Sequence, residues 1–279
     1  MTRSPAGRVI VITGGARGIG ASTARLLASH GAKVAIADLD AERVARTASE
    51  LGVQGFGVDV TDAHGFAALL DDVTAELGPI DVLINNAGIM PLHRIDEEPD
   101  EVTRRIVEVN QMAVIRGTRE IVRRWKAEGR GGHIINVSSA AGRVPIAGAS
   151  TYVASKHAVS GFSNSLHIEF QADGLPIDVT AVHPAMVSTE LSAGFAHKGA
   201  AKPVTPEQVA DGILSALERP RPDVYVPRSL GVAVRTGGLI PRRVGEWLNR
   251  VLGGERAALD AMESPDRRSY EDRVGGQGT

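Results

Sequence analysis

Three features of the chain predict an α/β protein built on a single doubly wound parallel sheet. Short apolar, β-branched runs alternate with helical patterns from residue 8 to residue 226, without an intervening linker. The first run opens directly into a glycine turn and a helix, through Gly14-Gly-Ala-Arg-Gly18-Ile-Gly20. Acidic and amide side chains (Asp38, Asp59, Asn85) fall at the C-terminal ends of successive runs, the edge at which open parallel sheets bind ligands.

Seven strands are expected. Arg8 to Thr13 is the first, and the helix after the glycine turn reaches about His30. Lys33 to Asp38 is the second strand, with a helix starting near Ala41. Val53 to Val58, then a helix over Asp62 to Leu77, and Ile80 to Asn85 follow in the same order. One long helix is expected from Asp100 to Glu128, apolar at Val102, Ile106, Val109 and Ala113. Ile134, Ile135 and Val137 mark a buried strand that ends at Ser138-Ser139, and a helix begins near Ser150. Pro176 to His183 is the sixth strand, Pro206 to Glu218 a helix, and Asp223 to Val226 the last strand. Residues 1–228 form one domain on this reading, and 229–279 a C-terminal extension. Val244, Trp247, Leu248, Val251 and Leu252 give that extension a helical apolar stripe to about residue 252, flanked by Arg242, Arg243 and Arg250. Residues 228–252 are expected to cover a pocket or dock on a second subunit, and the charged stretch from Ser264 to be loose.

Composition narrows the function. A chain of 279 residues with 43% apolar residues buries a full core. Net charge is −2 and the sequence pI near 6.5, so no basic field recruits nucleic acid or an anionic membrane. The absence of cysteine removes disulfides, thiolate metal sites and thiol catalysis, and fits a reducing compartment. No apolar leader is seen before Arg8 and no run reaches the length of a membrane span, so a cytoplasmic location without stable membrane insertion is expected. His93, His183 and His197 lack ligand spacing, and no metal is expected.

The chemistry concentrates between Gly132 and Ala158. Tyr152 and Lys156 stand four apart at the start of a helix and share a face. A phenol titrates near pH ~10, and bringing it to ~7 takes roughly 4 kcal/mol of preference for the phenolate. One positive charge at about 4 Å contributes on the order of 4 kcal/mol at an effective dielectric of about 20, so Lys156 is expected to make Tyr152 a proton donor and acceptor near neutrality. The other two tyrosines, Tyr225 and Tyr270, are followed at the fourth position by Ser229 and Val274. Asp38, 18 residues past Gly20, lies where a ribose-binding acid belongs, with an N-cap role shared with Asp40 as the structural alternative. Asp59 and the Val60 amide are placed to hold an adenine. Asn110, a poor helix-interior residue beside an apolar stripe, is either satisfied in the core or present for a site.

Taken together, Thr13-Gly-x-x-x-Gly-x-Gly20, Asp59-Val60, Asn85-Asn-Ala-Gly88, Asn110, Ser139, Tyr152-x-x-x-Lys156 and Pro184 with Thr189 resemble the short-chain dehydrogenase/reductase family over about residues 8 to 226. The resemblance implies a Rossmann fold and a nicotinamide dinucleotide across the C-terminal edge of the sheet. It implies that Thr13 supports the turn, that Gly14, Gly18, Gly20 and the Ile19 main chain meet the cofactor, and that Asn86 and Gly88 flank its riboses. Arg17, Leu39, Ala87, Pro184 and Val187 join the implied cofactor contacts, and Thr189 binds the carboxamide or pyrophosphate side. Tyr152 is the implied general acid/base, Ser139 orients the substrate oxygen in preference to Ser138, and Lys156 binds the nicotinamide ribose and lowers the tyrosine pKa. Asn110 holds a water that relays protons to Lys156. The chain departs from the family in one place, where Ala185 follows Pro184 instead of the usual glycine.

A carboxylate at Asp38, with Asp40 beside it, favours NAD over NADP by repelling a 2′-phosphate, while Arg17 pulls the other way. Pocket walls are expected from Met90 to His93, Arg143 to Ile146 and Ala185 to Lys202. Their apolar members (Met90, Leu92, Val144, Met186, Leu191, Phe195) suit a lipophilic secondary alcohol or ketone. A homodimer or homotetramer is expected by family analogy. The rival reading is a cofactor-sensing regulator on the same fold, against which the presence of both Tyr152 and Lys156 argues.

Overall fold

The computed structural model describes residues 3–195, 203–237 and 257–276. Seven strands form one sheet: β1 (Val9–Thr13), β2 (Lys33–Asp38), β3 (Gln54–Gly57), β4 (Val82–Asn85), β5 (Gly132–Val137), β6 (Ile177–Pro184) and β7 (Asp223–Val226). All neighbouring pairs are parallel, in the order β3-β2-β1-β4-β5-β6-β7. The order reverses between β1 and β4, which opens a crevice at their C-terminal ends. The expected sheet is borne out.

Helices cover both faces, which is why β1 and β4 are buried at every position. On one side lie α1 (Gly18–Ser29), α2 (Ala41–Leu51) and α7 (Pro206–Glu218), burying Ala24, Leu27, Val44, Val209, Ile213 and Leu217 against Ile10, Ile12, Ile36 and Ile84. On the other lie α3 (Ala63–Leu77), α5 (Ala113–Ala127) and α6 (Ser150–Ala172), whose Phe66, Leu69, Leu70, Ile121, Trp125 and Phe170 meet Val9, Val11, Leu83 and Ile134. Each of the Val, Leu, Ile and Phe side chains among them contributes roughly 1.5–3 kcal/mol on burial. A third apolar cluster (Met90, Leu92, Ala141, Ala149, Tyr152, Phe195, Ala258, Ala261) sits apart from both layers.

Two expectations are corrected. The long helix from Asp100 to Glu128 is two helices, α4 (Asp100–Val107) and α5, separated by a single π-helical turn at Glu108–Met112. The widened turn, closed by a bond from the Ala113 N–H to the Glu108 carbonyl, turns Asn110 fully inward. The stretch from Ser264, expected to be loose, is helical over Pro265–Gly276. After α8 (Arg228–Gly237), the described chain resumes with α9 (Ala257–Met262) and α10 (Pro265–Gly276), and α10 buries Arg267, Tyr270 and Val274. These positions recur at i, i+3 and i+7, so a buried stripe runs through a segment whose composition is charged. The Trp247 stripe lies outside the described residues.

Candidate active site

The glycine turn is held by polar bonds that need small residues around them. The Thr13 hydroxyl at the end of β1 accepts from the Asn86 and Ala87 amides at 3.0 and 3.1 Å. The Asn86 side chain returns two bonds of 2.9 Å to the Thr13 and Gly14 carbonyls. A Cβ on Gly20 would stand 2.2 Å from the Gly14 carbonyl oxygen, and one on Gly14, which has a φ of +63°, 2.8 Å from the Ala87 Cα. Gly18, at φ +52°, lies against the Thr189 methyl, where a Cβ would come within 3.2 Å. Arg17 at the start of α1 makes no side-chain capping bond, and the first turn carries no acid. The amides of that turn are left for an anion from outside.

At the end of β2, the buried Asp38 carboxylate accepts from the Ala16 amide at 3.1 Å and the Asp40 amide at 3.4 Å. Asp40, not Asp38, caps α2, accepting from the Arg43 amide at 2.9 Å. Leu39 is exposed beside it. The Asp59 carboxylate accepts from both the amide and the hydroxyl of Thr61 at 2.8 Å.

Tyr152 and Lys156 occupy the first two turns of α6, both about 95% buried. The Lys156 ammonium donates to the Val137 carbonyl at 3.0 Å and lies 5.8 Å from the centre of the Tyr152 ring. Ser139 follows β5. Its hydroxyl oxygen accepts from the Ala141 amide at 3.1 Å, and a hydrogen bond joins it to the Tyr152 phenol. Ser138 turns away instead, with its hydroxyl donating to the Lys156 carbonyl at 3.0 Å. Asn110 donates to the Ile89 carbonyl at 2.8 Å and Ser155 at 3.1 Å, while its oxygen accepts from the Ile89 amide at 2.8 Å. That oxygen and the Lys156 ammonium converge on Gly88, at 3.3 and 3.4 Å from where its Cβ would lie. Both readings of Asn110 thus hold part of the answer: it is satisfied, and it is satisfied beside the lysine.

The electrostatics differ from the sequence expectation. Burial pushes the Tyr152 phenol up to about 12, against a smaller opposing effect of the Ser139 hydrogen bond, with Tyr270 raising it further. Burial also pulls the Lys156 amine down to about 8. Burial, not Lys156, governs the phenol here, and the amine is itself desolvated.

These residues line one cleft of about 1090 Å³ at the C-terminal edge of the sheet. Gly14, Arg17, Gly18, Ile19, Asp38, Leu39, Asp59, Val60, Asn86, Ala87, Gly88, Ser139, Tyr152, Lys156, Pro184, Val187 and Thr189 all face it. Gly20 and Asn110 do not; they stand behind the wall and fix its shape. Of the expected pocket walls, Met90, Ile146 and Ala185 to Phe195 contribute. Arg143 pairs with Asp223 at 3.1 Å, and Val144 is exposed away from the cleft.

Glu190, Tyr270 and Arg273 have polar roles in the lining that the sequence did not single out. Glu190, next to Thr189, bridges Arg17 at 3.0 Å, Arg43 at 3.4 Å and Arg273 at 2.8 Å. Partial burial alone would raise its carboxyl, but the bond from Arg17 and the three guanidinium charges hold it below the usual carboxylate range. Tyr270 and Arg273 come from α10, and the buried spacing of that helix was the available signal. Among the described residues no cluster of His, Asp and Glu fit to hold a metal occurs, and no helix is long and apolar enough to cross a membrane.

Comparison with known proteins agrees with this geometry. The short chain dehydrogenase family model matches residues 8–199. A cis-4-hydroxycyclohexanecarboxylate dehydrogenase of Sinomonas cyclohexanicum is 40% identical over 74% of this chain and 87% of its own length. The probable oxidoreductase EphD of Mycobacterium tuberculosis is 34% identical over 77% of this chain, which spans only 40% of that longer protein. Among solved structures, the 3-ketoacyl-(acyl-carrier-protein) reductase of Brucella melitensis complexed with NADH superposes with a TM-score of 0.71 at 28% identity, covering 81% of this chain and all of that one. With the family pattern spanning more than half its length and a parallel sheet that gathers the motifs in and around one cleft, this chain belongs to the short-chain dehydrogenase family of oxidoreductases.

Proposed function

We propose that the chain is an NAD-dependent dehydrogenase that interconverts a lipophilic secondary alcohol and its ketone, with Tyr152 moving the hydroxyl proton. The observation that carries this reading is the convergence of Tyr152, Ser139 and Lys156 on the same cleft as the glycine turn. The residues fit a nicotinamide dinucleotide. The uncapped amides of α1 suit its pyrophosphate, Asp38 a ribose hydroxyl, Asp59 and Val60 the adenine, and Lys156 with Asn86 and Gly88 the nicotinamide ribose. When bound, the cofactor supplies or accepts a hydride.

The rest of the chemistry belongs to side chains. Ser139, with its oxygen engaged by the Ala141 amide, keeps its own O–H to donate to a phenolate or a substrate oxygen. The buried phenol is protonated at neutral pH, which suits it to donate to a carbonyl oxygen as that oxygen gains charge. In the oxidative direction the same phenol must release its proton, and the Ser139 hydrogen bond, which lowers its pKa, favours that release. NAD is preferred over NADP on this reading because Asp38 stands at the ribose position while Arg17 is already engaged by Glu190 and lies within 4.0 Å of Asp38 and Asp40. The apolar cluster around Tyr152 favours a lipophilic substrate. The hydroxyl-bearing ring named for the Sinomonas relative supports a cyclic one. A cytoplasmic homodimer or homotetramer remains the expected form.

Replacement of Tyr152 by Phe tests the reading. Oxidation of a panel of cyclic secondary alcohols with NAD is expected to fall by about 10²–10⁴ in kcat, while NADH binding followed by fluorescence holds. Retention of turnover by the variant would remove Tyr152 from the reaction.

A further inference from the structure

Tyr270 lies on the C-terminal helix α10, more than a hundred residues beyond Tyr152, yet both phenols line the same cleft and each is at most 6% exposed. A phenol both accepts and donates. The accepting side of Tyr270 is taken by the Met90 amide at 3.0 Å, and its O–H has no acceptor among the described residues. The helix is fixed so that this hydroxyl stays where it is. Glu271 accepts from the Leu92 amide at 3.1 Å and from Arg267 at 2.9 Å, and Arg267, fully buried, donates to the Leu191 carbonyl at 2.9 Å. Two guanidinium groups, Arg267 at 4.6 Å and Arg273 at 5.5 Å, stand over the ring. Positive charge over a phenol strengthens its O–H as a donor and favours electron-rich oxygen next to it.

Resting on the proposed alcohol oxidation, we infer that Tyr270 is a specificity-determining residue whose O–H binds a second oxygen of the substrate, a carbonyl or a carboxylate, apart from the carbon that reacts. Beyond the charged residues of its own helix, the wall around Tyr270 is apolar, with Met90, Leu191 and Phe195. In such a wall a donor left without a partner is costly, so a ligand that supplies the acceptor is selected over one that does not. The substrate is then bifunctional: one oxygen at Tyr152 and Ser139, another at Tyr270.

Matched probes read this directly. With NAD, wild-type protein should turn over 4-hydroxycyclohexanecarboxylate or 4-hydroxycyclohexanone with a kcat/KM about tenfold above 4-methylcyclohexanol, and the two acceptor probes separate carboxylate from carbonyl recognition. Tyr270→Phe should erase the difference between the acceptor probes and 4-methylcyclohexanol, mainly through KM. Equal losses on all probes, or none, would overturn the assignment. The wild-type contrast stands by itself if the variant does not fold, and its absence also overturns the inference. Affinities of the matching ketones, measured by calorimetry on both proteins with NAD present, a pairing in which neither partner has a hydride to give, carry the same contrast without turnover. A failure of hydride transfer is thereby told apart from a failure of Tyr270 to select.

Discussion

Lys156 carries a charge that its surroundings resist. Its amine titrates near 8 in the folded chain and 10.5 when exposed, because burial penalises the ammonium. Between those values the unfolded chain holds more protons than the folded one, so the Lys156 contribution to stability rises with pH from about 8 to about 10.5. Tyr152 acts oppositely, since a phenol raised from 10 to about 12 loses stability over that higher window. Lys156→Met removes the first effect alone. Its stability relative to wild type, from urea melts, is expected to be most favourable at pH 7 and to decline towards pH 10, and a pH-independent difference would refute a buried, depressed amine. At this scale the sequence was legible where spacing alone fixes proximity. Tyr152 and Lys156 share a helix face because they are four residues apart, and Ser139 reaches them from the end of β5. It was illegible where burial decides, which is why the tyrosine pKa was expected to fall and instead rises. Tyr270 escaped for a related reason: its partner is Met90, 180 residues away, and no local pattern encodes that pairing.

At the scale of elements, α10 depends on one ion pair at its inner face. Arg267 is fully buried and Glu271, one turn on, is its carboxylate partner at 2.9 Å. Glu271→Gln would leave the guanidinium uncompensated in a dry setting and weaken the bond to the Leu92 amide, with an expected loss of about 2–4 kcal/mol in chemical denaturation. A change below about 0.5 kcal/mol would mean that the helix is not held this way. The strands were readable to within a residue or two, because the buried central ones are apolar, β-branched runs and the exposed edge strand β3 falls where the alternation requires one. The break in the long helix was not, since Val107 to Ala113 contains no proline or glycine to announce it. Only the inward demand of Asn110, hydrogen-bonded to Ile89 on both sides, explains the π turn.

At the scale of the molecule, Glu190 joins four separate parts of the chain. It binds Arg17 from the glycine turn, Arg43 from α2 and Arg273 from α10, itself standing in the loop after β6. These groups are partly exposed, so the network adds little to stability, under about 1 kcal/mol. Its effect is on selection. Glu190→Gln leaves three guanidinium groups less compensated near Asp38, and the ratio of kcat/KM for NADP to that for NAD is expected to rise about tenfold with the melting temperature nearly unchanged. An unaltered ratio would separate the network from cofactor choice.

The wall supplied by α10 has a further consequence for how such a protein diversifies. The family pattern ends at residue 199 and the sheet at Val226, whereas Tyr270 and Arg273 lie beyond both. On the proposed function, the second substrate contact at Tyr270 is encoded outside the stretch that carries Tyr152, Ser139 and Lys156. A substitution on that helix is then expected to change the preferred substrate while leaving cofactor affinity as it was, which binding of NADH to the variant would check.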